Sequence, residues 1–142
     1  MPRVMLLVDG SDNALQAVRD FVAKRDWYQP PVELHLLNVQ LPIASGLVKS
    51  FISKKQLEDY YREEGLAALQ QARVILDQAG VPYLHHIGVG ELATTILDYA
   101  IDKKSDLIMM GTHGRSAVKG ALLGSVATRM LQQCDIPVLL VS

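Results

Sequence analysis

One cysteine, Cys134, occurs in 142 residues. It cannot close an internal disulfide, and a Cys/His zinc cluster needs more ligands than this chain groups together. No run of about 18 apolar residues occurs, so no membrane-inserting segment is expected. Net charge is nearly absent: 14 basic against 15 acidic side chains leave -1, with no general pull toward nucleic acid or an anionic membrane. The opening Met1-Pro2-Arg3 and the short apolar segment up to Asp9 lack the longer apolar stretch and small-residue cleavage site of a secretory signal. Repeats, linkers and low-complexity tracts are missing as well. The expectation is a soluble, reduced, cytoplasmic protein.

What is present suffices for one core. Hydrophobic residues make up 49% and charged residues 20%, which excludes a disordered chain. A fold of this length buries roughly 70% of the surface its unfolded chain exposes. One domain over residues 1–142 is expected.

Residues 4–8 are an unbroken apolar run, too short for a helix and bounded by Asp9-Gly10-Ser11. That suits a strand covered on both faces. Ser11 or Asp12 can cap an amphipathic helix marked by Ala14, Leu15, Val18, Phe21 and Val22. After Pro30-Pro31, residues 32–39 read as a second strand. Residues 40–53, with Pro42 and Gly46, read as a loop. A long helix is expected over 54–78, with Leu57, Tyr61, Ala68, Ala72, Leu76 and Ala79 as its buried stripe, closed by Gly80 and Pro82. Residues 83–87 form a weaker strand holding His85-His86. These two alternate faces, so they cannot both reach one metal from one face and read as structural. A helix over 91–103, a buried strand over 107–110, a helix over 125–133 and a strand over 136–141 complete the series. Alternating strands and helices argue for a parallel, doubly wound α/β sheet with helices on both faces.

In such a sheet, ligands bind beyond the carboxyl ends of the strands, where the strand order reverses. An order 3-2-1-4-5 would reverse between the first and fourth strands, and both end in polar or glycine-rich sequence. The fourth leads into Gly111-Thr112-His113-Gly114-Arg115-Ser116-Ala117-Val118-Lys119-Gly120-Ala121-Leu122-Leu123-Gly124-Ser125. Its glycines let backbone N–H groups approach a ligand, and Gly124-Ser125 opens a helix whose N-terminus favours an anion. Residues 107–134 contain no Asp or Glu, where average density predicts about three. With Arg115 and Lys119, this is a locally positive segment on a nearly neutral chain, and phosphate is the natural guest. The Walker-type phosphate loop is absent, because no Gly-Lys-Ser or Gly-Lys-Thr occurs. The first strand offers no G-x-G-x-x-G dinucleotide fingerprint.

Gly111-x2-Gly114-x9-Gly124-Ser125 resembles the ATP-binding signature of the universal stress protein family. The likeness extends along the chain, from Asp9-Gly10-Ser11 through Asn38-Val39 and Ser105-Asp106 to Ile136-Pro137-Val138. It implies a Rossmann-like five-stranded sheet of order 3-2-1-4-5, a homodimer and a role in stress survival. It also implies ATP as ligand, with Mg²⁺, or AMP or another adenine nucleotide. Carried over by position, Asp9 resembles the carboxylate near the ribose, and Val39 the residue whose backbone holds the adenine edge. Gly111 resembles the residue beside the ribose, while Gly114, Arg115, Gly124 and Ser125 surround the phosphates. Val126 follows at the helix start. Val8 and Gly10, flanking Asp9, and His113, within the glycine motif, complete the expected site. Ala127 departs from relatives that carry a hydroxyl there.

The leading reading is an ATP-binding regulatory protein acting on an unidentified protein partner. An ATP-hydrolysing or phosphate-transferring enzyme is the alternative, but the glycine segment supplies no carboxylate to orient a nucleophile or metal. A nucleotide-free interaction module is the third class. Dimerisation is expected through the final strand, whose apolar run has no charge to blunt edge pairing.

Overall fold

The computed structural model describes residues 1–28, 31–43, 46–112 and 124–141. The strands are β1 (Arg3–Leu7), β2 (Glu33–Gln40), β3 (Leu84–Val89), β4 (Leu107–Gly111) and β5 (Val138–Val141). Between them run the helices α1 (Asp12–Ala23), α2 (Gly46–Phe51), α3 (Lys54–Gln78), α4 (Leu92–Asp102) and α5 (Ser125–Gln133). All pairings are parallel, in the order β3-β2-β1-β4-β5. The expected doubly wound architecture is the one observed.

Strand alternation divides the apolar residues between two cores. Val4, Leu6, Leu34 and Leu36 face one side, where α1 contributes Leu15, Val18 and Phe21 and α3 contributes Leu69, Ala72 and Leu76. Met5, Leu37, Ile108 and Met110 face the other, against Ala93, Ile96 and Ala100 of α4 and Ala127 and Met130 of α5. Burying each large apolar side chain contributes about 1.5–3 kcal/mol, which makes these two layers the main source of stability.

Three expectations require correction. The stretch 40–53 is not all loop: Gly46–Phe51 forms α2, a helix too short to display an apolar period. Along α3, full burial falls on Gly65, Leu69, Ala72 and Leu76, while Leu57, Tyr61, Ala68 and Ala79 are only half-buried. The fully buried positions thus run from the middle of the helix into its C-terminal half. A Cβ at position 65 would lie 2.7 Å from the Ile87 side chain, so the glycine permits α3 to approach β3 that closely. The last strand begins at Val138 rather than residue 136, since Pro137 has no N–H to donate to a ladder.

Helix starts follow from local chemistry. The Ser11 hydroxyl accepts from the Ala14 N–H at α1, and Ser53 and Gln56 form a reciprocal capping box at α3. The Glu91 carboxylate accepts from Ala93 and Thr94 at α4 and pairs with Arg129 of α5. Gly124 begins α5 with no side-chain cap.

Candidate functional site

β1 and β4 are neighbours, and their following connections leave on opposite sides, so a crevice opens beyond their carboxyl ends. A cavity of about 470 Å³ occupies it, within the size range of small-molecule sites. Its floor is apolar, made by Leu7, Ala14, Val39, Met110 and Val126. Asp9, Asn38, Gln40, Glu64 and Thr112 supply polar groups around it.

Asp9 follows β1, and one of its carboxylate oxygens accepts from the Ser11 N–H at 2.9 Å. This Asx turn, with Gly10 at φ +83°, carries the chain from strand to helix and fixes the carboxylate at the cavity wall. Val8 is fully buried, and neither Val8 nor Gly10 lines the cavity.

The placement of Val39 follows from register. In a parallel strand, a residue's N–H and C=O point to one side, and successive residues alternate. The Val8 N–H donates to the Leu37 carbonyl at 2.8 Å, so Leu37, and with it Val39, faces β1. The Gly90 N–H donates to the Gln40 carbonyl at 3.0 Å, so Gln40 faces β3. Registered pairing with β1 ends at Leu7–Leu37. The Val8 carbonyl, the next acceptor along that ladder, is taken by the Asn38 side-chain amide at 2.9 Å. The donor and acceptor of the Val39 backbone therefore edge the crevice.

On the opposite side, Gly111 ends β4. A Cβ there would meet the Asn13 side-chain amide and lie 3.1 Å from the Asn13 backbone oxygen, so the glycine eases the close approach of β4 to α1. The Thr112 carbonyl accepts from the Gly124 N–H, which ties the end of β4 to the start of α5. Gly124 (φ -67°, ψ 160°) has no side chain with which to cap the first N–H groups of α5, and Gly124, Ser125, Val126 and Ala127 line the cavity. Ala127 is buried, so the position that lacks a hydroxyl is part of the wall. His113, Gly114 and Arg115 lie outside the described residues, as does Lys119.

Asp9, Val39, Gly111, Gly124, Ser125 and Val126 thus gather around one cavity, although they come from the ends of β1, β2 and β4 and the start of α5. Sequence reasoning missed Asn38, Gln40, Tyr60 and Glu64. Glu64 is an exposed residue of α3 that also borders the cavity. Among the described lining residues, Asp9 and Glu64 are the charged ones. Among the described residues, no group of three or more His, Cys, Asp or Glu side chains could hold a metal ion.

The His85-His86 pair has a structural outcome. His86 reaches across to His35 of β2, with Nε2 2.8 Å from His35 Nδ1, and His35 Nε2 lies 3.1 Å from Glu33. Burial, more than the neighbouring His35, Lys103 and His85, holds the His86 pKa below its usual value. Among the described residues, no helix is long and apolar enough to cross a membrane.

The family model described as "Universal stress protein family" matches residues 1–142. A universal stress protein of Thermus aquaticus is 31% identical over 138 residues, covering 97% of this chain and 96% of the relative. Universal stress protein MJ0531 of Methanocaldococcus jannaschii is 29% identical, over 98% of this chain and 81% of the relative. Among solved structures, hypothetical protein MJ0577 of the same organism superposes with a TM-score of 0.82 at 27% identity, covering 99% of this chain and 94% of that one. A universal stress protein in complex with cAMP gives a TM-score of 0.70 at 25% identity, over 99% and 97%. A family protein of Arabidopsis thaliana with AMP bound gives 0.64 at 18%, over 99% and 90%, a likeness of fold. Sequence match and topology agree over the whole chain, which belongs to the universal stress protein family.

Proposed function

We propose that this protein binds an adenine nucleotide, ATP with Mg²⁺ or AMP, in the cavity beyond β1 and β4 and acts as a regulatory stress-response protein. The observation that carries the reading is the joining of two unlike ends in one cavity. A backbone donor and acceptor at Val39 stand at one end, and a helix N-terminus that begins on a glycine at the other. Adenine presents an acceptor at N1 beside a donor at its 6-amino group, which complements the Val39 N–H and C=O. Asp9 accepts from ribose hydroxyls. The first N–H groups of α5 and the Ser125 hydroxyl donate to phosphate oxygens, and the helix dipole favours their charge. The family resemblance assigns Gly114 and Arg115 to the phosphates as well, and adds His113 to the site. Magnesium would arrive on the phosphates, because the hard cation needs several oxygen ligands and the triphosphate supplies them. The family members solved with cAMP and with AMP support the choice of base.

The role proposed for the bound nucleotide is ligand-dependent control of a protein partner. The edge position of β5, with Leu139 39% exposed, supports pairing of two copies about a two-fold axis. Calorimetric titration with ATP, AMP and adenosine tests the reading. Saturable one-site binding of the nucleotides is expected. Absence of binding by all three at millimolar concentration would refute it.

A further inference from the structure

The Asn38 side chain has no freedom to choose which of its polar atoms faces the Val8 carbonyl. A carbonyl only accepts, so the Nδ2 must face it, and the 2.9 Å contact is buried. Asn38 Oδ1 is thereby turned toward Gln40, two residues on and on the same face of β2. Gln40 must in turn donate, and its Nε2 does so at 2.6 Å. Both amide orientations follow from one fixed backbone acceptor. What remains of the Gln40 amide is its Oε1, an acceptor without a proton, on a side chain that lines the cavity. Among the described residues, none donates to it. Glu64 of α3 adds a second acceptor to the cavity lining.

We infer that Gln40 is a specificity-determining residue, which selects a base carrying an exocyclic amino group over one carrying a carbonyl at the same position. Asn38 is the positioning residue that sets its polarity. The inference rests on the nucleotide-binding reading above and adds a side-chain contact to the backbone contacts at Val39. An amino group donates to Oε1. A 6-oxo purine instead sets two lone-pair oxygens against each other, and the relay prevents Gln40 from rotating its NH₂ into their place. Such a rotation would bring Gln40 Oε1 against Asn38 Oδ1 and sacrifice the 2.6 Å bond.

The test is a cycle of two ligands and two proteins: AMP and IMP, each titrated against the wild type and Gln40→Met. Methionine keeps the length of the side chain and removes its amide. Wild type is expected to prefer AMP, and Gln40→Met to lower the AMP:IMP affinity ratio by roughly 3–10-fold, the value of one hydrogen bond. Discrimination by the Val39 backbone is common to both proteins and cancels. A general loosening of the cavity would weaken both ligands alike and leave the ratio unchanged. Gln40→Leu likewise removes the amide and provides the measurement if thermal melts show Gln40→Met to be unfolded, with the same fall in the ratio expected. An unchanged ratio in whichever of these variants is folded, or no preference in the wild type, would overturn the inference. Failure of the wild type to bind AMP at all would instead overturn the nucleotide reading on which it rests.

Discussion

Replacing Gly124 by aspartate separates binding from folding at the phosphate end of the cavity. The backbone there has φ -67° and ψ 160°, which any residue adopts, so no glycine is needed for conformation. Aspartate is a favoured N-cap, and its carboxylate would accept from first-turn N–H groups that a glycine cannot cap. Folding should gain a few tenths of a kcal/mol from the cap and about 0.3–1 kcal/mol from the helix dipole. The same carboxylate occupies the donors proposed for phosphate and adds a like charge beside it. At about 4 Å and an effective dielectric constant near 20, each unit pair costs about 4 kcal/mol before screening. A net loss of roughly 2–4 kcal/mol corresponds to about 30–1000-fold weaker ATP binding. Adenosine carries no phosphate and should bind within about 3-fold of wild type, a difference below 1 kcal/mol. Calorimetric titration of both ligands, with thermal melts alongside, gives the comparison. If Gly124→Asp binds ATP as the wild type does, the phosphate site is not at the start of α5.

Other outcomes follow from the same structure. Gly111→Ala should destabilise by about 1–3 kcal/mol in urea denaturation, because the added Cβ meets the Asn13 side chain and crowds its backbone oxygen at 3.1 Å; an unchanged midpoint would show that Asn13 gives way without cost. Leu139→Lys should shift the sedimenting species from dimer to monomer while the helical signal persists; a wild type that is monomeric at micromolar concentration contradicts the β5 interface. The lowered pKa of His86 means that the unfolded chain takes up a proton first as pH falls below about 6.5. Stability should therefore be fully present above that pH and decline below it toward the folded-state pKa, and His86→Gln should flatten this limb of a denaturation-versus-pH series. A wild-type midpoint that stays constant from pH 7 to pH 5.5 would remove that assignment.

The strands and four of the helices were legible because their signals are local. Buried parallel strands read as short continuous apolar runs, and Ser11, Ser53 and the Gly80–Pro82 boundary punctuate the helices. The Gly124-Ser125 start of α5 was legible for the same reason. Helix α2 was not, since six residues are too few to establish a period. The base end of the cavity was only half legible. Val39 was reached through family resemblance, whereas the Asn38–Gln40 relay depends on the Val8 carbonyl, which only the β1–β2 register brings within reach. Tyr60 and Glu64 come from the first half of a helix whose exposed face looks purely solvated in sequence. The partner of His86 is likewise a register effect: His35 lies 51 residues away and meets it only once β3 pairs with β2.

Amide-resolved NMR during titration with AMP tests the location of the site most directly. The largest shifts are expected on the Val39 amide, on Gly111 and on the first turn of α5 from Ser125 to Ala127. The amides around His35 and His86, away from the cavity, should stay in place. Saturable shifts that bypass both Val39 and the start of α5 would contradict that location.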